Sequence, residues 1–196
     1  MISTGAFGGT KHRETMRAMQ SRLALLLCLI SCPLVSAAAE ADRDVPTSAR
    51  ELLDEVEGNG ARRTVQRLYE NRPVWTGVIE NIASGQREWI DLALSLKAGS
   101  GGAESSDLRD AMFRALARNP SYVLRHAQPD YPLAVLCLGR ARPLPTYERA
   151  RDELVTVERA LGQERADDLH YKKELCLAEL REGHAHLRRF FGLESR

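Results

Sequence analysis

The chain has 196 residues, of which 28 are basic and 27 acidic, and 43% of its residues are hydrophobic. This near balance of charge gives no support for binding to nucleic acid or to an anionic membrane surface, both of which select strongly basic chains. The length and the apolar content are sufficient for one domain with a sizeable core.

The first forty residues predict an export signal rather than part of the fold. Two arginines precede an apolar run at 23–35, and small residues follow it at 36–39. This order is typical of a secretory signal peptide, and the run is short for a helix that spans a bilayer. We therefore expect residues 1–39 to be an N-terminal extension with a signal peptide, and residues 40–196 to form a single periplasmic domain.

An alternative processing site lies inside the apolar run. The sequence at 29–32, Leu-Ile-Ser-Cys, resembles the lipobox at which bacterial lipoproteins are cut and lipidated on cysteine. Lipidation at Cys32 would anchor the domain to a membrane, and this is the only membrane association that the sequence predicts. Pro33 and the alanines after it favour an ordinary signal peptide, so the lipoprotein is kept as the alternative.

Removal of residues 1–39 changes both the charge and the cysteine content. These residues hold four basic and one acidic side chain, which leaves 24 of the 28 basic and 26 of the 27 acidic residues, a net charge of −2 with histidine neutral. Two cysteines remain, Cys137 and Cys176. A single pair in an oxidising compartment predicts a disulfide, and two buried free thiols are the alternative.

Helical spacing of apolar residues runs through the predicted domain, and no stretch alternates as a strand would. Ser48 followed by Glu51 predicts a capping box ahead of the first helix, which the Gly-Asn-Gly sequence at 58–60 would end. A second helix is predicted from Ala61 to about Glu70.

The sequence at 74–99 contains one pattern twice. Trp75 and Trp89 are each followed ten residues later by a glycine, Gly85 and Gly99, and the apolar residues between them share one helical face. We predict two short helices, each ended by a glycine in the left-handed conformation. The tryptophans are interpreted as core residues rather than as cages for a ligand.

Residues 99–106 are rich in glycine and serine but do not form a phosphate-binding motif. No Gly-Lys-Ser/Thr sequence follows them, no strand precedes them, and an acidic residue lies among them. We predict a flexible connector here. A further helix is predicted from Asp107 to about Arg118.

Two features define the C-terminal part. Five of the eight prolines lie at 120–145 and predict an irregular crossing at about 127–145, with a short helix or an extended piece around Cys137. Beyond it, apolar residues at three- and four-residue spacing predict an antiparallel helical hairpin at about 146–191, with Cys176 on its inward stripe. The predicted fold class is therefore all-α, with stacked short antiparallel helices at about 48–126 followed by this hairpin.

A series of short motifs lies along the stacked helices: a basic helix start, two tryptophans, a Ser-Gly turn, a Leu-Ala pair and an Asn-Pro pair. They lie at Gly60–Val65, Trp75, Ile82–Gly85, Trp89, Leu92–Ala93 and Asn119–Pro120. Together they resemble a group of uncharacterised exported bacterial proteins with HEAT-like helical hairpins, over roughly residues 49–125. The resemblance implies a small all-α domain and carries over no catalytic residues.

The pattern of histidines and serines predicts no catalytic residue, no cofactor and no metal site. His184 and His186 point to opposite sides of a helix, and His170 lies nearly four turns from His184, so neither pair can share a metal ion. The serines occur mostly in loops and turns, without the glycine elbow that presents a nucleophile.

These observations favour a non-catalytic periplasmic module that binds another envelope or secreted protein, as a scaffold or as an inhibitor of the immunity type. The alternative is a small enzyme or ligand carrier with a pocket between its helices. That alternative requires His126, Tyr131, Asp168 and His170 to converge in one cleft.

Overall fold

The computed structural model of the chain describes residues 48–140 and 144–193. In these two ranges all regular structure is helical, and no strand is formed. The all-α fold class predicted from the apolar spacing is therefore confirmed. Residues 1–39, with Cys32, lie outside the described residues, so export and lipidation stay predictions.

The helices of the described ranges follow one another with short connections. α1 packs on α4, α3 packs on α5, and α8 packs on α9. A single 3₁₀ turn, Asp167–Leu169, lies directly before α9. The α-helices are α1 (Ala49–Asn59), α2 (Ala61–Glu70), α3 (Arg72–Ala83), α4 (Arg87–Lys97), α5 (Gly102–Leu116), α6 (Pro120–His126), α7 (Leu133–Leu136), α8 (Tyr147–Gln163) and α9 (His170–Phe190).

Capping residues set the bounds of the first helices. Ser48 Oγ accepts a hydrogen bond from the backbone N–H of Glu51 at 3.2 Å, which satisfies one of the donors that a helix start leaves free. α1 ends at Asn59, and Gly60 follows with a φ of 84°, a conformation that side chains with a Cβ rarely adopt. Because α2 begins at the next residue, Gly60 alone turns the chain between the two helices.

Both tryptophans of the repeated pattern lie in the core. Trp75 is 3% exposed and Trp89 is 7% exposed. Trp75 Nε1 donates a 3.0 Å hydrogen bond to Asp107 Oδ2 on α5, and the ring of Tyr69 packs edge-on against it with the ring centroids 5.5 Å apart. Neither tryptophan lines a cavity found among the described residues.

The two glycines of the repeated pattern have different structural roles. Gly85 has a φ of 77°, as predicted for a glycine that ends a helix. Gly99 is not in the left-handed region, so that prediction is wrong for it. A Cβ built on Gly99 would lie 2.3 Å from the carbonyl carbon of Ala61, which means that Gly99 is needed where the chain after α4 contacts the start of α2.

The predicted flexible connector at 99–106 is wrong over its second half, because α5 begins at Gly102 rather than near Asp107. Gly101 is the N-cap, and Glu104 lies in the first turn, where a negative charge is favourable. Glycine and serine indicated a loop by local preference. The apolar face of α5 packs on α3, and this tertiary packing outweighs the local preference.

α8 and α9 form the predicted C-terminal hairpin. Thr146 Oγ1 accepts from the backbone N–H of Arg149 at 3.4 Å and caps the start of α8. The inward stripes of the two helices are buried at three- and four-residue spacing: Ala150, Leu154, Val157 and Leu161 on α8, and Cys176, Leu180 and Leu187 on α9.

The two cysteines predicted to pair are at bonding distance. Cys137 directly follows α7, and its sulfur lies 1.97 Å from that of Cys176 in α9. The Cα atoms are 5.1 Å apart, within the range that a disulfide requires, and both residues are fully buried. The bond joins the chain after the stacked helices to the C-terminal hairpin.

Candidate functional site

The four residues proposed for a cleft between helices lie in α6 (His126), before α7 (Tyr131), in the turn before α9 (Asp168) and at the start of α9 (His170). Tyr131 is buried, and its hydroxyl donates to the backbone carbonyl of Ala93 at 3.3 Å. His126, Asp168 and His170 are exposed. Of the four cavities with the best-defined walls among the described residues, one is lined by Tyr131 and none by the other three residues. These cavities therefore do not bring the four side chains together.

Asp168 contributes to an ion pair between elements. The guanidinium of Arg125 on α6 donates to both of its carboxylate oxygens, at 3.0 and 3.1 Å. This hydrogen-bonded pairing lowers the pKa of Asp168. The carboxylate thus has a structural partner that connects α6 to the turn before α9.

The histidines of α9 are placed as their spacing predicts. His184 Nε2 lies 3.4 Å from Glu158 Oε2 on α8, whereas His186 is exposed. Across residues 48–140 and 144–193 no three histidine, cysteine, aspartate or glutamate side chains lie close enough to hold a metal ion.

A continuous groove runs between α5, α8 and α9, and we call it the C-terminal groove. It consists of two cavities of about 270 and 520 Å³, which share Phe113, Leu144 and Glu153. The side chains of Leu154 and Leu187 contribute apolar surface to the smaller cavity. An apolar depression joined to a second, wider one is the shape expected of a binding surface.

An ion-pair network lies where the two cavities meet. Arg140 donates from Nε to Asp110 Oδ2 at 3.4 Å and from Nη1 to Glu153 Oε1 at 3.2 Å. The second oxygen of Glu153, Oε2, is buried and accepts no hydrogen bond from the described residues. Buried carboxylate oxygens are ordinarily paired, so an unpaired one is an unusual feature of the junction between the two cavities.

Two large apolar side chains are exposed at the smaller cavity. Leu138 is 44% exposed and Phe190 is 59% exposed, and both line this cavity. Most large apolar side chains in the described part of the chain are buried. Exposed apolar residues that surround a depression are typical of an interaction site, whereas scattered ones are not.

The wider cavity adds positive charge to the groove. Arg118 and Arg149 line it, are exposed, and form no ion pair with any described residue. Arg114 lines it as well but pairs with Glu80 at 2.9 Å, and Asp152 pairs with Arg151. The unpaired charges of the groove are therefore arginines.

Two signals in the sequence point to these residues. Phe190 and Phe191 are adjacent in one helix turn, so only one of them can face the core, and Phe191 lies on the inward stripe. Glu153 lies three residues after Ala150 and four before Val157, on the buried face of α8. An acidic residue on the buried face of a helix indicates a functional site, and so does an aromatic residue outside that face.

No known protein family, curated protein or solved structure matches the chain. The likeness to exported proteins with HEAT-like hairpins therefore stays a proposal. None of the helices in the described ranges has the length and apolar character needed to cross a membrane.

Proposed function

We propose that this chain is a non-catalytic, exported protein-interaction module, and that its binding surface is the C-terminal groove. The observation that carries the proposal is the pair of exposed side chains, Leu138 and Phe190, around an apolar cavity. Its partner is another envelope or secreted protein, and the module acts as a scaffold or as an inhibitor of the immunity type.

The chemistry of the groove defines the partner segment. An apolar side chain of the partner fills the smaller cavity, where Phe190 covers it from the rim. Acidic residues of the same segment face Arg118 and Arg149, which have no carboxylate partner among the described residues. The partner segment is thus amphipathic and acidic.

The non-catalytic part of the proposal rests on how the candidate side chains are used. Tyr131 is buried with its hydroxyl bonded to a carbonyl, and Asp168 is paired with Arg125. Cys137 is bonded to Cys176 and is not a free thiol. Each of these three side chains therefore has a structural partner that accounts for its position.

Site-specific photocrosslinking tests this proposal. A photoreactive residue is placed at position 190 or, as a control, at position 171, because Tyr171 is also an aromatic residue of α9, is 77% exposed, and lines none of the described cavities. In periplasmic extract, position 190 is expected to give a discrete adduct with one protein, and position 171 is not.

The captured protein is then purified and its binding measured directly. Phe190→Ser and the double change Arg118→Gln/Arg149→Gln are each expected to weaken binding by about tenfold or more, and Tyr171→Ser to leave it unchanged. Added salt should weaken the binding of the captured protein to the parent chain more than its binding to the double variant. Equal adducts at both positions, or a partner that binds all variants alike, would contradict the proposal.

A further inference from the structure

A separate pocket lies at the end of α4, away from the residues that line the C-terminal groove. It has a volume of about 240 Å³, and its walls come from the end of α4, the first turns of α5 and the chain that leads into α7. It shares no lining residue with the groove. The proposed interaction surface therefore does not account for the residues that line this pocket.

One wall of this pocket is cationic and lacks a carboxylate partner. Lys97 Nζ donates a 3.0 Å hydrogen bond to the hydroxyl of Ser105, and it forms no ion pair with a described residue. Arg109 also lines the pocket and forms no such pair. Its Nε is buried and has no hydrogen-bond acceptor in the described part of the chain. A guanidinium stays protonated, so this is a buried charged donor without its acceptor.

The same pocket also has apolar lining residues. Tyr131 is buried beside Lys97, whose Nζ lies 5.9 Å from the centre of the tyrosine ring. Val135 also lines the pocket, and it is 45% exposed. The pocket therefore combines positively charged donors with apolar surface.

One acidic residue lies in the same pocket. Asp130 contributes to the lining, is exposed, and is not within ion-pair distance of either cation. Its negative charge opposes an anion in the pocket, and it also raises the pKa of Tyr131, for which burial is the larger cause. The two cations and the one carboxylate together give the pocket a net charge of +1.

We propose that this pocket binds a small organic molecule that carries an oxyanion group, a phosphate, sulfate or carboxylate. The oxyanion accepts hydrogen bonds from Lys97 Nζ, from the Ser105 hydroxyl and from the guanidinium of Arg109. The organic part of the ligand lies against Tyr131 and Val135. The site is independent of the C-terminal groove, so either proposal can fail without the other.

Calorimetric titration of the full exported domain tests the pocket with three probes. Inorganic phosphate measures the anion subsite alone, phenol measures the apolar wall alone, and phenyl phosphate measures both. Phenyl phosphate is expected to bind at one site per chain and most tightly of the three. Benzoate and phenyl sulfate then distinguish which oxyanion the site prefers. Phenol that binds as well as phenyl phosphate, or no saturable binding by any probe, would overturn the proposal.

Two substitutions in the pocket are expected to weaken phenyl phosphate binding, and a third is expected to strengthen it. Lys97→Gln and Arg109→Gln are each expected to weaken phenyl phosphate binding by about tenfold or more, because each removes a charge-assisted hydrogen bond. Asp130→Asn is expected to strengthen it, because a like charge is removed from the pocket. Arg63→Gln, a change of the same charge at an exposed arginine on α2, should leave binding unchanged. Weakening by Asp130→Asn, or equal affinity of all four variants, would refute the site.

A second measurement does not depend on how the variants fold. In ¹H–¹⁵N spectra of the unaltered protein, the Nε–H resonance of Arg109 should shift and saturate with phenyl phosphate, since the guanidinium to which it belongs gains an oxyanion partner. Circular dichroism checks the fold of each variant, and Arg109→Lys serves where Arg109→Gln does not fold. An Arg109 resonance that stays fixed while the ligand binds would place the ligand elsewhere and refute the assignment.

Discussion

Gly183 of α9 lies directly against the backbone of Leu138, so that a Cβ built on Gly183 would be 2.6 Å from the carbonyl oxygen of Leu138. The contact brings the chain after α7 onto α9, next to the disulfide and to the smaller cavity of the C-terminal groove. Only the absence of a side chain on Gly183 allows this approach. The position of the exposed Leu138 therefore depends on a glycine in the middle of a helix.

Replacement of this glycine is predicted to reverse the usual helix preference. In an open helix interior, alanine stabilises relative to glycine by about 0.5–1 kcal/mol. Gly183→Ala should instead lower the free energy of unfolding by about 1–3 kcal/mol, because the added methyl group would displace the Leu138 backbone. Denaturant unfolding followed by circular dichroism measures this change.

Gly162 of α8 is the matched control for Gly183. It also lies within a helix, and a Cβ built there meets nothing within 4 Å. Gly162→Ala should therefore stabilise the protein or leave it unchanged. If the two alanine variants shift stability in the same direction, the contact between Gly183 and Leu138 does not constrain the packing of α9.

The disulfide is predicted to be a major contribution to stability. Cys137 and Cys176 are 39 residues apart in the chain, and closing a loop of this size in the unfolded state is worth about 4 kcal/mol in the chain-entropy account. The double change Cys137→Ser/Cys176→Ser should lower the melting temperature substantially. Reductant should lower the parent protein to a similar value and leave the variant unaffected. A parent protein that melts identically with and without reductant would disprove this role.

The two core tryptophans are predicted to differ in their tolerance of phenylalanine. Trp75 donates its indole N–H to Asp107, whereas the indole of Trp89 forms no hydrogen bond among the described residues. Trp75→Phe should therefore lower the free energy of unfolding by about 1 kcal/mol more than Trp89→Phe does. Denaturant titrations of both variants give this difference, and equal losses would mean that the hydrogen bond to Asp107 adds nothing to the packing.

The sequence predicted most of the helices because their determinants are local. The spacing around Trp75 and Trp89 and the serine cap at Ser48 depend only on residues within a few turns. The role of Gly99 does not, because it depends on Ala61, which lies 38 positions earlier in the chain and reaches Gly99 only after folding. The early start of α5 has the same origin, since its packing on α3 outweighs the loop preference of its first residues.

The C-terminal groove and the pocket beside Lys97 could not be predicted for a related reason. Glu153 lies on α8 and Arg140 in the chain after α7, and they meet through a 3.2 Å contact that no spacing rule anticipates. The pocket beside Lys97 likewise combines α4, α5 and the chain before α7. In both cases the evidence is a polar atom without its partner, Glu153 Oε2 or Arg109 Nε, and such an atom is recognisable only once the neighbours of each side chain are placed.

The side-chain contacts that connect the turn before α9 to α6 are predicted to break in acid. The hydroxyl of Ser121 donates to Glu164, and backbone N–H groups of Arg165 and Ala166 donate to the same carboxylate, so that the pKa of Glu164 is lowered. Asp168 has a lowered pKa as well, chiefly through its hydrogen bonds from Arg125. A carboxyl group whose folded pKa is lowered contributes stability above its unfolded pKa, and this contribution is lost as the pH falls through the folded value.

This loss should therefore occur below about pH 4, where ordinary aspartate and glutamate side chains become protonated. Carboxyl ¹³C titrations can separate the two groups. Ser121→Ala should raise the pKa of Glu164 and leave that of Asp168 in place, because the hydroxyl is the largest cause for Glu164 alone. Arg125→Gln should raise the pKa of Asp168 far more than that of Glu164, for which Arg125 is the smallest cause. If both variants move both pKa values equally, the two carboxylates titrate as one coupled network and not as two separate ties between α6 and the turn.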